Sequence, residues 1–155
     1  YVNVTAFDFG FPQSGLGSLE TSKTVLSLEA FPLCSAAEVA TGNLEVYVYP
    51  NPYRIDGNYI NDGFEGRDAD YYIPDRMRRL NFANLPAKCT IRIYTLDGDL
   101  VREIEHNKSA DDPTAMHDTW DLITRNTQRI VTGIYYWVVE DDKGNTQVGK
   151  FVIIM

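Results

Sequence analysis

The sequence is poor in the side chains from which most active sites are built. It holds two histidines and two cysteines in 155 residues, and Cys34 and Cys89 match no metal-ligand spacing. His106 and His117 flank one polar loop, but no serine or cysteine stands in a nucleophile motif and no other segment completes a metal set. The residue pattern therefore predicts neither an enzyme nor a cofactor. Positive charge is also scarce: 14 Lys and Arg stand against 22 Asp and Glu, a formal charge of -8. That balance argues against a nucleic-acid partner, whose counterions only a basic face displaces. No run approaches the ~20 apolar residues with which a helix crosses a bilayer, so no membrane span is expected. Two free thiols, with Cys89 on the inner face of a strand, are the simpler reading of the cysteines; pairing in an oxidising compartment is the alternative. The first residues, Tyr1-Val2-Asn3-Val4-Thr5, lack an initiator Met and a basic region followed by an apolar run. A chain cut from a longer protein is the expectation.

What the chain does have is aromatic and apolar substance: ten tyrosines, seven phenylalanines and 44% hydrophobic residues. Flat aromatic rings suit a pleated surface, and this length supports one core with an appendage. Val2, Val4 and Ala6 alternate with Asn3, Thr5 and Phe7, residues 10–18 punctuate a long loop, and residues 24–28 resume an extended pattern, which together predict an N-terminal hairpin over 1–32. Residues 33–44 carry small side chains without a period and read as a linker with a short helical turn. From residue 45 onward, strands are expected at 45–49, 78–83, 89–94, 100–105, 118–122, 134–140 and 147–154. Pro50 and Pro52 stop the first of them, because proline lacks the donor a ladder needs.

About seven short strands separated by turns predict an all-β, two-sheet sandwich over 45–155. Its expected core is Leu80, Phe82, Ile91, Ile93, Trp120, Ile134, Tyr136 and Ile153. Asp121 is expected to accept backbone hydrogen bonds in the turn after Trp120, and Gly133 to make a turn or bulge before Ile134.

One irregular segment, residues 55–74, interrupts this order. It mixes Asp56, Asp62, Glu65, Asp68 and Asp70 with Gly57, Gly63 and Gly66 and with Tyr59, Phe64, Tyr71 and Tyr72. An irregular loop of this length has a binding or assembly role more often than a short one. Its carboxylates are the candidates for a calcium site, yet the run lacks the twelve-residue loop pattern and its closing bidentate Glu. A solvated, turn-rich loop without metal is the preferred reading.

Several motifs carry a resemblance. They are Tyr49-Pro50-Asn51-Pro52-Tyr53, Ile91-Arg92-Ile93-Tyr94-Thr95-Leu96-Asp97-Gly98-Asp99-Leu100-Val101, Thr119-Trp120-Asp121, Val131-Thr132-Gly133-Ile134-Tyr135-Tyr136, and Gly149-Lys150-Phe151-Val152-Ile153-Ile154. In this order, residues 45–155 resemble the C-terminal sorting domains of the type IX secretion system and the similar flagellar-hook-cap-type immunoglobulin-like domains. Upstream, Val4-Thr5-Ala6-Phe7-Asp8 followed by Ser18-Leu19-Glu20-Thr21-Ser22 resembles the last strands of a fibronectin type III domain.

The resemblance implies an immunoglobulin-like sandwich, an extracellular or cell-surface location, and a non-enzymatic role in export, sorting or surface attachment at the end of a larger secreted bacterial protein. Its partner would be the secretion or attachment machinery, and its sorting strand would comprise Lys150, Phe151, Val152, Ile153 and Ile154. The N-terminal hairpin supports an alternative. An isolated hairpin is marginal in water, so Val2, Val4, Ala6, Val25, Leu26 and Leu28 could instead bury themselves against another copy of the chain. Repeated head to tail, such strand complementation builds an extracellular filament.

Overall fold

The computed structural model describes residues 5–8, 10–15, 17–21, 36–66 and 77–155, and the chain divides into two units, Tyr1–Pro32 and Leu33–Met155. In the first, Phe7 and Glu20 form an antiparallel bridge. The Asp8 amide donates to the Leu19 carbonyl at 3.0 Å and the Thr21 amide to the Ala6 carbonyl at 2.9 Å. The Asp8 carboxylate braces this pairing by accepting from the amides of Gly10 and Leu19. Ala6 is exposed; Val2, Val4, Val25, Leu26, Leu28 and Cys34 lie outside the described residues.

The second unit opens with α1 (Ala36–Gly42), inside the stretch read as a linker. It ends where Asn43 turns to a φ of 46°, the left-handed conformation that asparagine tolerates at a helix end. Eight strands follow among the described residues: β1 (Tyr47–Tyr49), β2 (Tyr53–Arg54), β3 (Leu80–Ala83), β4 (Lys88–Thr95), β5 (Leu100–Asn107), β6 (His117–Trp120), β7 (Gly133–Asp141) and β8 (Thr146–Ile154). They make an all-β sandwich of a three-stranded sheet, β1-β3-β6, and a five-stranded sheet, β2-β8-β7-β4-β5. The hairpins β4-β5 and β7-β8 turn at Gly98 and Gly144, whose φ of 91° and 83° a Cβ would oppose.

The strand absent from the sequence reading is β2. Pro50 and Pro52 do end β1, but the chain then crosses to the other sheet, where Tyr53 and Arg54 pair in parallel with Ile153 and Ile154. The two prolines mark a change of sheet.

Six of the eight expected core residues are buried: Leu80, Phe82, Ile91, Ile93, Trp120 and Ile153. The other two are corrected by the structure. Ile134 and Tyr136 are 44% and 38% exposed, and Tyr135, Trp137 and Val139 face the core instead. Every side chain from 134 to 139 is apolar or aromatic, so alternation within β7 gives no phase. The partners decide it: Tyr135 lies opposite Phe151 and Trp137 opposite Ile93. Tyr135 then stacks on Phe151 with centroids 5.8 Å apart, and Phe82 meets Trp137 edge-on at 6.3 Å.

Local devices complete the frame. The Trp120 indole donates to the Ile123 carbonyl at 2.9 Å, and Asp121 accepts from the Ile123 amide at 3.1 Å, as its place before a turn predicts. Gly133 makes no bulge; it opens β7 in regular register opposite Ile153. A Cβ there would stand 3.4 Å from the Tyr135 ring.

Candidate interaction surface at the C-terminal strand

The motifs behind the resemblance are scattered in sequence, and the fold gathers three of them on β8. Strand β7 and β8 are antiparallel, and their hairpin is closed by the Asp141 amide donating to the Asn145 carbonyl. Hydrogen-bonded pairs therefore alternate down the ladder from Asp141 and Asn145, and the even-numbered residues of β8 turn their backbone groups away from β7. Asn51 meets two of these. Its amide nitrogen donates to the Lys150 carbonyl at 3.2 Å, and its amide oxygen accepts from the Val152 amide at 3.2 Å. Strand β2 takes over at once, and the Ile55 amide donates to the Ile154 carbonyl at 2.9 Å. From the β7 side, Thr132 Oγ1 accepts from the Met155 amide at 2.9 Å. Residues 49–53 and 131–133 thus clasp the last strand from both flanks.

Along β8 the side chains alternate. Phe151 and Ile153 are fully buried, whereas Lys150 and Ile154 are exposed and Val152 half-buried. The expected sorting strand is half core and half surface. On the outward face Val152 lies opposite Ile134, and Lys150 opposite Tyr136, which in turn faces Tyr94. This apolar group borders a charged centre, where Arg92 meets Glu140 at 2.6 Å and Glu103 at 2.7 Å. Those hydrogen bonds, the one donated to Glu140 foremost, raise the Arg92 pKa further above its already high value.

The acidic segment is anchored beneath β2 and β3. Glu65 is buried and accepts from the Tyr53 hydroxyl at 2.7 Å and from the Arg79 amide at 3.2 Å. Burial, then the hydrogen bond and charge of Glu65, push the Tyr53 hydroxyl pKa up. Asn81 lies on the outer face of β3 yet is buried, and its amide is satisfied by donating to the carbonyls of Phe64 at 3.1 Å and Tyr49 at 3.3 Å. Phe64 and Glu65 thus tie the described part of the segment to β2 and β3. Its other carboxylates are not drawn together: Asp56 forms a bidentate pair with Arg54, which holds its pKa down, and Asp62 is exposed. Asp68 and Asp70 lie outside the described residues. Among the described residues, no three His, Cys, Asp or Glu side chains converge as a metal set.

The two histidines have structural partners. His106 is buried, with Nε2 2.6 Å from the Ala115 carbonyl and Nδ1 2.8 Å from Asp118 Oδ2. A carbonyl only accepts, so Nε2 donates there, and Nδ1 faces the carboxylate. Lys108 Nζ adds bonds to the carbonyls of Thr114 and His117. Together these groups pin the loop between β5 and β6. Cys89 lies opposite His106 across β4 and β5, a pairing the sequence spacing does not reveal. Both imidazole nitrogens are already committed, however, and burial, with the charges of Asp118 and Asp141, pushes the thiol up to about 12. A thiol so placed stays protonated and is a poor nucleophile. His117 Nε2 sits 3.1 Å from the Tyr49 hydroxyl.

No protein-family model and no curated protein matches the sequence. Solved structures with a similar course of chain include PorZ, described as a surface component of the type-IX secretion system of Porphyromonas gingivalis, at 22% identity and a TM-score of 0.48. Another is dimeric latent PorU from the same organism, at 19% identity and a TM-score of 0.45. The likeness covers 77% and 70% of this chain but 12% and 9% of those. At these values no property of either protein transfers to this one.

Proposed function

We propose that the chain is a non-enzymatic, extracellular recognition module which takes part in type IX-like export, sorting or surface attachment through its final strand. One observation carries the reading. Three of the motifs that resemble type IX sorting domains, residues 49–53, 131–136 and 149–154, form one physical unit in which Asn51, β2 and Thr132 hold β8. A strand so clasped presents a fixed row of outward side chains, Lys150, Val152 and Ile154, beside Ile134 and Tyr136, and this row is the recognition surface. The inward side chains, Phe151 and Ile153, anchor it in the core.

The test follows from that division of labour. Deleting residues 149–155 would remove Phe151 and Ile153 from the core, so lost export would report unfolding. Outward substitutions avoid this. The full chain is fused to a periplasmic reporter in a type IX-competent host, with Val152→Asp and Ile154→Asp as variants. Export is expected to fail while the near-ultraviolet circular dichroism stays native. Undiminished surface display of both variants would overturn the reading.

A further inference from the structure

The clasp on β8 stops short of its beginning. Even-numbered residues of this strand face away from β7, and from residue 150 onward they are met by Asn51 and β2. Before that point nothing pairs with them: among the described residues, the amide and carbonyl of Thr146 and Val148 and the amide of Lys150 have no backbone or side-chain partner on this edge. Their neighbour in a complete sheet would be the segment that became β1, which pairs with β3 in the other sheet. The gap is a consequence of the change of sheet at Pro50 and Pro52.

The free edge at residues 146–148 lines an open cleft of about 1370 Å³, together with Val39, Leu44, Val46 and Trp137. The Val46 amide donates to Gln147 Oε1 at 2.8 Å. Trp137 is 6% exposed and its indole nitrogen has no acceptor among the described residues. Arg102 Nε is the one fully enclosed side-chain polar atom without a partner among them, so the indole N–H of Trp137, a residue that lines the cleft, is not fully enclosed. Val148 is 66% exposed beside it. An unpaired strand edge, a buried aromatic with an unused donor, and apolar side chains converge on one place.

Backbone groups repeating every second residue along a strand, about 6.8 Å apart, are matched by another extended polypeptide. The charges around the cleft are balanced, with Glu45, Asp141 and Asp142 among Lys88, Lys108 and Lys143, so recognition there falls to backbone and apolar groups rather than to net charge. We propose that residues 146–150 form a β-augmentation site that binds an extended peptide segment of another protein, with the Trp137 indole donating to a backbone carbonyl of that segment and an apolar side chain of it resting on Val46. This site uses the backbone edge, not the outward face of β8, and stands or falls independently of the export reading.

The experiment uses the full chain, nitrogen-15 labelled, and a panel of soluble heptapeptides in which Val and Thr alternate between terminal lysines, titrated to about 1 mM, the weak end of specific peptide binding. Expected are saturable shifts at the amides of Thr146, Val148 and Lys150 and at the Trp137 indole. Val148→Pro removes the edge donor but no β7-β8 hydrogen bond and should weaken binding about tenfold, as should Trp137→Phe, each removing one hydrogen bond at a desolvated site. Peptides N-methylated at alternate residues on the pairing edge should not bind, which keeps the test valid if a variant fails to fold. No shift at these amides with any peptide, or binding indifferent to N-methylation, would overturn the proposal. Shifts that grow with protein concentration alone would overturn it too, by assigning the edge to a second copy of this chain.

Discussion

Trp137 lies flat across Gly149, its partner in the β7-β8 ladder: a Cβ built on Gly149 would stand 2.3 Å from Cζ2 and 2.8 Å from Nε1 of the indole. The glycine is needed for space, since its φ is not in the left-handed region. Gly149→Ala is therefore expected to destabilise the fold by about 1–3 kcal/mol, the usual cost of overpacking. Urea unfolding measures this. A Trp137→Phe background should return part of the loss, and strict additivity of the two changes would show that the ring is not crowded there.

Asn51 replaces two ladder bonds with one side chain, so its removal frees a length of β8 while leaving the core untouched. Asn51→Ala should cost about 1–2 kcal/mol, the sum of two exposed, modest hydrogen bonds. Hydrogen exchange at the Val152 amide should accelerate more than at the inward-bonded amide of Phe151. Equal acceleration at both would mean that β8 opens as a whole and that Asn51 does not act locally.

How far the sequence discloses this fold depends on how much contrast each strand carries. In β4, Cys89, Ile91 and Ile93 alternate with Thr90, Arg92 and Tyr94, and the buried face is legible at once. In β7 there is no polar residue from 134 to 139 to mark the outer face, and the phase comes only from partners a hairpin away. The two-residue β2 is too short to show any period. Asn51 shows in a motif, but its role as a strand substitute depends on a partner some hundred residues distant. The cleft edge is illegible for the same reason, because it arises from where the chain does not go. The β7 phase is directly testable: Tyr135→Ala should cost about 3–5 kcal/mol by loss of a buried ring, and Tyr136→Ala less than about 1 kcal/mol. Similar losses in thermal or urea unfolding would contradict the assigned faces.

Acid should weaken the sandwich through Asp118. Burial alone would raise its pKa, but the His106 hydrogen bond, the Thr119 amide and the nearby charges of His106 and Lys108 outweigh it, and the net shift is downward from 3.8. A depressed carboxyl stabilises the fold at pH values above its unfolded pKa, and that contribution drains away as pH falls through the lower folded value. The native protein should therefore lose stability below about pH 4, and Asp118→Asn should both destabilise it at neutral pH, by about 1–3 kcal/mol for a broken charge-assisted bond, and flatten that acid slope. An unchanged slope in the variant would place the acid sensitivity elsewhere.

At the alkaline end the same reasoning runs through Cys89, with the opposite sign. The unfolded thiol ionises near its ordinary value of 9.0, whereas in the fold burial, then the charges of Asp118 and Asp141, push it up to about 12. A proton held more tightly by the folded state stabilises it fully below the unfolded pKa, and the benefit falls away as pH rises from 9 towards 12. Stability by urea titration should decline across that window, and Cys89→Ala should lessen the decline. Reactivity provides an independent check, because only the thiolate attacks an alkylating agent. Iodoacetamide at pH 8, followed by mass spectrometry of the peptide that contains Cys89, should find it unmodified in the native protein and alkylated after addition of denaturant. Rapid native alkylation at Cys89 would mean that the thiol reaches solvent, and would reopen the pair it forms with His106 as a site of chemistry.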